Sequence, residues 1–262
     1  MKTIFAAQSL LHEGQLALTT EQLVNVYPEI MPGRLPLTIR SCPGLIDVGQ
    51  FAEGRTEAML SALDGIYAVC GGLLVRWDGS TFTNLGTVGL GRATMQYNGT
   101  QVAVTVGGKY YIYDGTSLTE VTGFAFNTVG SVEFMDGYFM TTDVNSDRWA
   151  ITAINDGTSI DALDFASAES RPDNLVRIIA NGGLVWLMGE ETVEPWQNTG
   201  NADFPFQRIS STVIEKGLRS VGEATRLDNT IFWNSDESRA YRQVDFQPQK
   251  ISTASVDTSL DA

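Results

Sequence analysis

Apolar residues in this chain come in short runs, and a glycine-containing turn dipeptide closes most of them. Ile66 to Cys70 runs into Gly71-Gly72, Leu73 to Trp77 runs into Asp78-Gly79, and Thr81 to Leu85 follows. The same grammar returns 36 residues later: Val102 to Val106, Gly107-Gly108, Lys109 to Tyr113, Asp114-Gly115, then Ser117 to Val121. Gly-Gly and Asp-Gly tolerate the positive φ angles of a two-residue hairpin turn, so apolar runs on both sides predict antiparallel meanders. Looser echoes follow at Asp136-Gly137 before Tyr138 to Thr142, at Asp156-Gly157 after Trp149 to Ile154, at Asn181-Gly182-Gly183 before Leu184 to Met188, and at Asp228-Asn229 before Thr230 to Trp233. Units of roughly 35–45 residues, each a small meander, are what a β-propeller repeats around its axis. A lone sheet of this kind cannot bury both faces, so neighbouring units must stack. A sandwich or solenoid would also use such turns, but a repeat of unit length favours the propeller. The expected class is all-β: a β-propeller-like repeat of antiparallel meanders with an irregular N-terminal arm.

The repeat divides the chain. Residues 1–50 hold Pro28, Pro32, Pro36 and Pro43 among Gly33 and Gly44, which punctuates any helix or long strand and predicts an arm with the first strands. Residues 51–250 carry the blades, and 251–262 read as a polar tail. Around Lys216-Gly217, the stretch Leu218 to Ala224 reads as a short helix.

Composition narrows the function more than the fold. With 262 residues and 43% apolar content the chain can bury one large all-β core, and 12 Phe, 8 Tyr and 5 Trp suit half-buried pleated surfaces. A formal net charge of −14 argues against a nucleic-acid-binding surface and against docking on anionic lipid, since phosphate recognition draws on clustered Lys and Arg. Arg34, Arg40, Arg171 and Arg177 are too scattered in sequence to predict a basic patch. No run approaches the ~18 apolar residues of a membrane helix, and Met1 to Leu11 makes a poor signal peptide.

Candidate chemistry is sparse. A Ser-His triad needs a histidine held by an acid, and the single one, His12, lies in the arm. Cys42 and Cys70 form no ligand cluster and read as small core residues. Asp143, Asn145 and Asp147 are spaced like the start of a calcium loop and are the partial metal candidate; position six is Arg148 and position twelve is Ile154, so turn chemistry explains the same letters. Glu190, Glu191 and Glu194, or Glu169 and Asp173, would be the carboxylates of a sugar-cleaving propeller, yet in a chain with 31 acidic residues they read first as solvated loops. Trp149, Trp186, Trp196, Phe204, Phe206 and Trp233 are placed to fill gaps between blades; stacking on sugar is the competing role. Asn98-Gly99-Thr100 matches a glycosylation sequon that a turn also explains. The expectation is no catalytic residue and no cofactor.

One ordered set of short segments goes further. Phe165-Ala-Ser-Ala-Glu-Ser-Arg-Pro-Asp173, Asn181-Gly-Gly-Leu-Val-Trp186, Glu194-Pro-Trp-Gln-Asn-Thr-Gly200, Asn201-Ala-Asp-Phe-Pro-Phe206 and Ile214-Glu-Lys-Gly217 occur in this order. Asn25-Val-Tyr-Pro-Glu29, Cys42-Pro-Gly-Leu45, Val69-Cys-Gly-Gly72 and Leu227-Asp-Asn-Thr-Ile-Phe-Trp233 extend the match over most of the chain. This resembles the packaged-DNA stabilisation proteins of short-tailed bacteriophages, also called tail hub or nozzle proteins.

The resemblance implies a structural, non-enzymatic protein of the virion tail that stabilises packaged DNA and forms part of the ejection channel. It implies a homo-oligomeric ring of six below the portal and its head-to-tail adaptor ring, a tail needle or plug closing the channel, and tailspikes or fibres at its flank. DNA would pass without specific binding, and no membrane contact is implied. Members of the family are usually longer, so further strands or a neighbouring subunit would be expected to cover the open sheet edge. A carbohydrate-binding or glycoside-cleaving propeller is the alternative, and a host-receptor binder the third reading, because fold alone does not decide function.

Overall fold

A computed structural model describes residues 26–29, 38–41, 44, 49, 54–168, 173–210 and 212–261. The chain divides into two compact units, residues 51–251 and residues 1–50 with 252–262. In the second of these, β1 (Val26–Glu29) pairs antiparallel with β2 (Thr38–Ser41), and the polar tail contains a short helix, α1 (Ala254–Leu260). The rest of the proposed arm, with His12 and Cys42, lies outside the described residues.

Residues 51–251 form five four-stranded sheets, each a meander in which every strand pairs antiparallel with the next. The first holds β3 (Thr56–Ala62), β4 (Gly65–Cys70), β5 (Leu73–Trp77) and β6 (Phe82–Thr87); the second, β7 (Ala93–Tyr97), β8 (Val102–Val106), β9 (Lys109–Tyr113) and β10 (Leu118–Val121). The third holds β11 (Val129–Met135), β12 (Tyr138–Asp143), β13 (Arg148–Ile151) and β14 (Phe165–Ser167). The fourth holds β15 (Leu175–Asn181), β16 (Leu184–Gly189), β17 (Val193–Asn198) and β18 (Phe206–Arg208), and the fifth β19 (Ala224–Leu227), β20 (Thr230–Asn234), β21 (Ala240–Val244) and β22 (Gln247–Lys250). In the first two sheets the strands that the turn grammar misses are β3 and β7, which precede the repeated runs and lack a closing Gly-Gly.

Each seam between consecutive sheets has its own apolar cluster. Tyr67, Val69, Leu74 and Val104 fill the first, and Ala103, Ile112, Val132 and Phe139 the second. In the third seam Trp149 meets Trp196, Phe204 and Phe206 edge-on at centroid distances of 5.4, 5.2 and 5.6 Å. The fourth packs Trp186 and Met188 against Ile231 and Trp233, with Trp233 stacked on Tyr241. Trp149, Trp186, Trp196 and Trp233 therefore sit between blades and bury their π surface against other aromatic rings, as offset and edge-on pairs favour.

The Gly-Gly turns are the two-residue hairpins their sequence predicts, with φ of 57° and 82° at Gly71-Gly72 and 59° and 81° at Gly107-Gly108. The Asp-Gly turns of the first two units differ. Asp78 and Asp114 open four-residue loops in which the aspartate backbone N–H donates to the carbonyl of Thr81 or Ser117. Its carboxylate accepts the next two free amides, from Ser80 and Thr81 or from Thr116 and Ser117. Aspartate here acts as an Asx turn and not as a positive-φ residue.

Residues 218–223 form no helix, contrary to the sequence reading. The Leu218 N–H donates to the Gly189 carbonyl and the Arg219 N–H to the Asn234 carbonyl, so two sheet partners take the amides a first helical turn would leave open. Gly217 lies against the Glu190 carbonyl where a Cβ would not fit, which pins the segment to the fourth sheet. Cys70 is half-buried and not in the core, its thiol 4.0 Å from the Gly54 carbonyl.

Candidate functional site

The first strands of the first four sheets, β3, β7, β11 and β15, neighbour one another in sequence order, as the inner strands of a propeller do. Inner strands of a propeller have an edge without a ladder partner, so their backbone groups need other acceptors. Here side chains of the adjacent blade supply them. The Val132 N–H donates to Thr94 Oγ1 at 2.7 Å, joining β11 to β7, and the Ile178 N–H donates to Ser131 Oγ at 3.0 Å, joining β15 to β11. Arg177 Nη1 donates to the carbonyls of Val221 and Ala224 at 2.8 and 2.6 Å, and Arg226 Nη1 returns to the Ala180 carbonyl at 2.7 Å. Register irregularities at the start of β3, β11 and β15 accompany this pattern. A bulge re-aims the side chains beside it, which lets Ser131 and Arg177 reach across to a neighbouring strand.

Beside these bridges Glu133 is 3% exposed and accepts the Phe134 N–H at 3.0 Å. Burial pushes its carboxyl upward, opposed by the Phe134 amide and by the attraction of Arg226 and Arg177. Arg177 is pulled downward by its own burial and held up by Glu133. The pair is thus a buried polar joint between the third, fourth and fifth sheets.

Two cavities open along these inner strands. One of about 440 Å³ gathers strand starts from four sheets, at Gly91, Val129, Leu175 and Val221. The other, about 310 Å³, is lined by Arg55, Glu57, Arg92 and Arg177 together with Val132 and Gly222. Arg177 shares this lining with Arg55 and Arg92, neither of which the sequence reading had set beside it, while Arg34 and Arg171 lie outside the described residues. Arg55 and Arg92 stand immediately before β3 and β7, at equivalent places in successive repeats. The sequence held that signal in their near-repeat spacing, which the turn dipeptides overshadowed.

Charge is distributed unevenly over the connections. In an antiparallel meander the first and third turns of a sheet lie at the same end. Those turns carry Asp64, Asp78, Asp114, Asp136, Asp156, Asp161, Asp164, Asp203, Asp228 and Asp245, and among the described residues they contain no Lys or Arg. Backbone amides donated into the turns hold Asp78 and Asp114 below the usual carboxylate range, and the Thr158 hydroxyl and amide do the same for Asp156. Asp164 moves the other way, raised by burial and by Asp161. Turn chemistry repeated in every blade has produced an acidic end. The opposite connections carry both signs, with Arg92, Lys216, Arg219 and Arg239 among them.

The residues singled out by sequence fall into structural roles. Asp143, 6% exposed, accepts from Arg148 Nη2 at 2.6 Å; Asn145 takes a φ of 57° in the turn; the Asp147 carboxylate accepts from Ser146 Oγ at 3.4 Å. Among the described residues no group of three or more His, Cys, Asp or Glu gathers as a metal site. Glu190 and Glu191 are exposed loop residues, but Asp173 and Glu194 are not solvated as expected. Asp173 clamps the next turn by accepting from the Glu191 and Thr192 amides and the Thr192 hydroxyl, and Glu194, 1% exposed, accepts from Trp196 Nε1 at 3.2 Å. Glu169 lies outside the described residues. Asn98 accepts the amides of Thr100 and Gln101 as an Asx turn. No helix among the described residues is long and apolar enough to cross a membrane.

Comparison with known proteins agrees with this architecture. A family model described as "Phage_stabilise: Bacteriophage P22 Gp10, beta-propeller" matches residues 14–262. No curated protein matches the chain. Among solved structures, the extracellular domain of BT4673 from B. thetaiotaomicron, assigned to a hybrid two-component system, superposes with a TM-score of 0.54 at 13% identity, over 79% of this chain and 29% of that one. The computationally designed Ika8 protein gives 0.52 at 12% identity, over 73% and 58%, and Hsv2 from Kluyveromyces lactis 0.50 at 10% identity, over 89% and 84%. The chain thus spans less than a third of the first of these structures. At such identities these likenesses show the fold alone.

Proposed function

The chain belongs to the bacteriophage P22 Gp10 β-propeller family of phage DNA-stabilisation proteins, a structural family, and from that premise we propose that it is a subunit of the head-to-tail connector. In this reading it assembles as a homo-oligomeric ring of six beneath the portal and its adaptor, retains packaged DNA and forms part of the ejection channel. A needle or plug closes the ring, and tailspikes or fibres attach at its flank. The observation that carries the reading is the family match over 14–262 on a chain whose carboxylates and aromatics serve turns and blade seams.

The acidic end adds a physical argument for a conduit. A wall lined by aspartates repels a passing polyanion, whereas one lined by Lys and Arg would hold it at many phosphates. We read the turns bearing Asp78, Asp114, Asp156 and Asp245 as the surface turned toward DNA, with no specific binding. Mixing the purified chain with its adaptor ring and imaging the product tests the proposal: rings of six stacked on the adaptor support it. A chain that stays monomeric with the adaptor, or a ring whose lumen is lined mainly by Lys and Arg, refutes it.

A further inference from the structure

The cavity of about 310 Å³ beside the inner strands stands out because its charge opposes that of the whole chain. The chain carries a net −14, yet the charged residues lining this space are Arg55, Arg92 and Arg177 against Glu57 alone. They come from three different blades. Arg55 lies at the exposed mouth, where Nη2 donates to Glu57 Oε2 at 3.2 Å. Arg92 is exposed and spends Nη1 on Ser220 Oγ at 2.8 Å. Arg177 is half-buried, with Nη1 spent on the Val221 and Ala224 carbonyls. A guanidinium has five N–H donors in a planar fork, so Arg92 and Arg177 keep donors that no other described group takes.

Glu57 in the lining pairs with Arg55, and Glu133, which is not part of the lining, attracts Arg177; this leaves one positive charge, that of Arg92, without a carboxylate partner among the described residues. An arginine without a carboxylate partner, facing the same space as a half-buried one with donors to spare, favours a bound anion. A phosphate monoester or inorganic phosphate carries about −1.5 to −2 at neutral pH and presents at least three acceptor oxygens, which suits a net positive lining and donors arriving from three directions. A space near 300 Å³ is at the lower end for small-molecule sites, suiting a phosphate group and excluding duplex DNA.

We propose that the cavity formed by Arg55, Arg92 and Arg177 is a binding site for a small phosphate-bearing anion. It goes beyond the connector reading and does not depend on ring assembly. Occupancy would tie the first, second and fourth blades together through one ligand.

Isothermal titration calorimetry on the full chain, at low ionic strength, tests it with inorganic phosphate, a nucleoside monophosphate and malonate as separate probes. One-site saturable binding of phosphate is expected, and Arg92→Gln and Arg177→Gln should each weaken it about tenfold or more. Lys109→Gln, which removes an ammonium paired with Glu120 outside the cavity, should leave it unchanged. Tighter binding of the monophosphate identifies an ester as the source, and equal or weaker binding identifies free phosphate. Because Arg92 is exposed, its variant should fold even if Arg177→Gln does not. No saturable heat up to about 10 mM phosphate, unchanged affinity in Arg92→Gln, or malonate binding as tightly as phosphate overturns the proposal.

Discussion

Replacing Ser131 by alanine removes one oxygen atom from the joint between the third and fourth blades. Ser131 is fully buried, and its Oγ is the acceptor for the Ile178 N–H at 3.0 Å. Ile178 is itself fully buried, so no water replaces the lost acceptor. Because serine and alanine have nearly the same shape, no cavity term enters; what remains is the desolvation penalty of one stranded amide, about 1–3 kcal/mol. Thr141, also fully buried, offers the opposite case, because its Oγ1 has no hydrogen-bond partner among the described residues. Thr141→Val removes an unsatisfied hydroxyl and adds a methyl of similar size, so it should be neutral or stabilising by up to about 1 kcal/mol. Urea unfolding followed by tryptophan fluorescence measures both, with unchanged slope as the sign that the denatured state is the same. Opposite signs at two buried hydroxyls on paired strands, Ser131 on β11 and Thr141 on β12, are the expected result. If Ser131→Ala stays within about 0.5 kcal/mol of wild type, or Thr141→Val costs more than about 1 kcal/mol, the account of side-chain bridges between inner strands is wrong.

Other perturbations probe different terms. Trp149→Ala empties the third seam and should cost toward the upper end of the 3–5 kcal/mol typical of such truncations, since three edge-on rings lose their partner; the shift of the urea midpoint reads it. Glu133 has a folded-state pKa raised above the unfolded value, so its contribution is fully present below the unfolded pKa and is lost as pH rises through the folded one. Glu133→Gln should therefore gain on wild type as pH rises above about 4.5, and a stability difference that stays flat with pH would contradict the burial argument. Tyr67 is pushed up to about 12 by burial and by its hydrogen bond to Asp64. Ultraviolet titration should find this phenol late, and Asp64→Asn should bring it down toward the ordinary range.

Much of the architecture was legible in the chain. Turn dipeptides such as Gly71-Gly72 and Gly107-Gly108 are local devices whose φ angles decide a hairpin wherever they stand, so strand pairs around them could be placed without tertiary information. The burial of Trp149, Trp186 and Trp233 followed from the same pattern, because large rings on strands that must stack have no better place. The helix expected over Leu218 to Ala224 failed because its amides were taken by Gly189 and Asn234, residues 29 and 15 positions from their donors. Asp173 failed as a solvated residue for the same kind of reason, since the Glu191 and Thr192 amides it accepts lie 18 and 19 positions away, whereas Glu194 is buried on β17 beside the indole of Trp196 two residues on.

Sequence alone therefore determined the modular β character, the unit length and, through short ordered segments, the family, because each of these resides in local turn chemistry or in letters read in order. The tertiary structure decided the rest. Only stacking the blades placed Thr94, Ser131 and Arg226 where they bond the neighbouring inner strand, and only the common direction of the sheets collected the turn aspartates at one end. Arg55, Arg92 and Arg177 are far apart along the chain and meet because their blades surround one space. Charge and hydrogen bonding between residues distant in sequence depend on where the backbone goes, and hydrophobic periodicity carries no record of that.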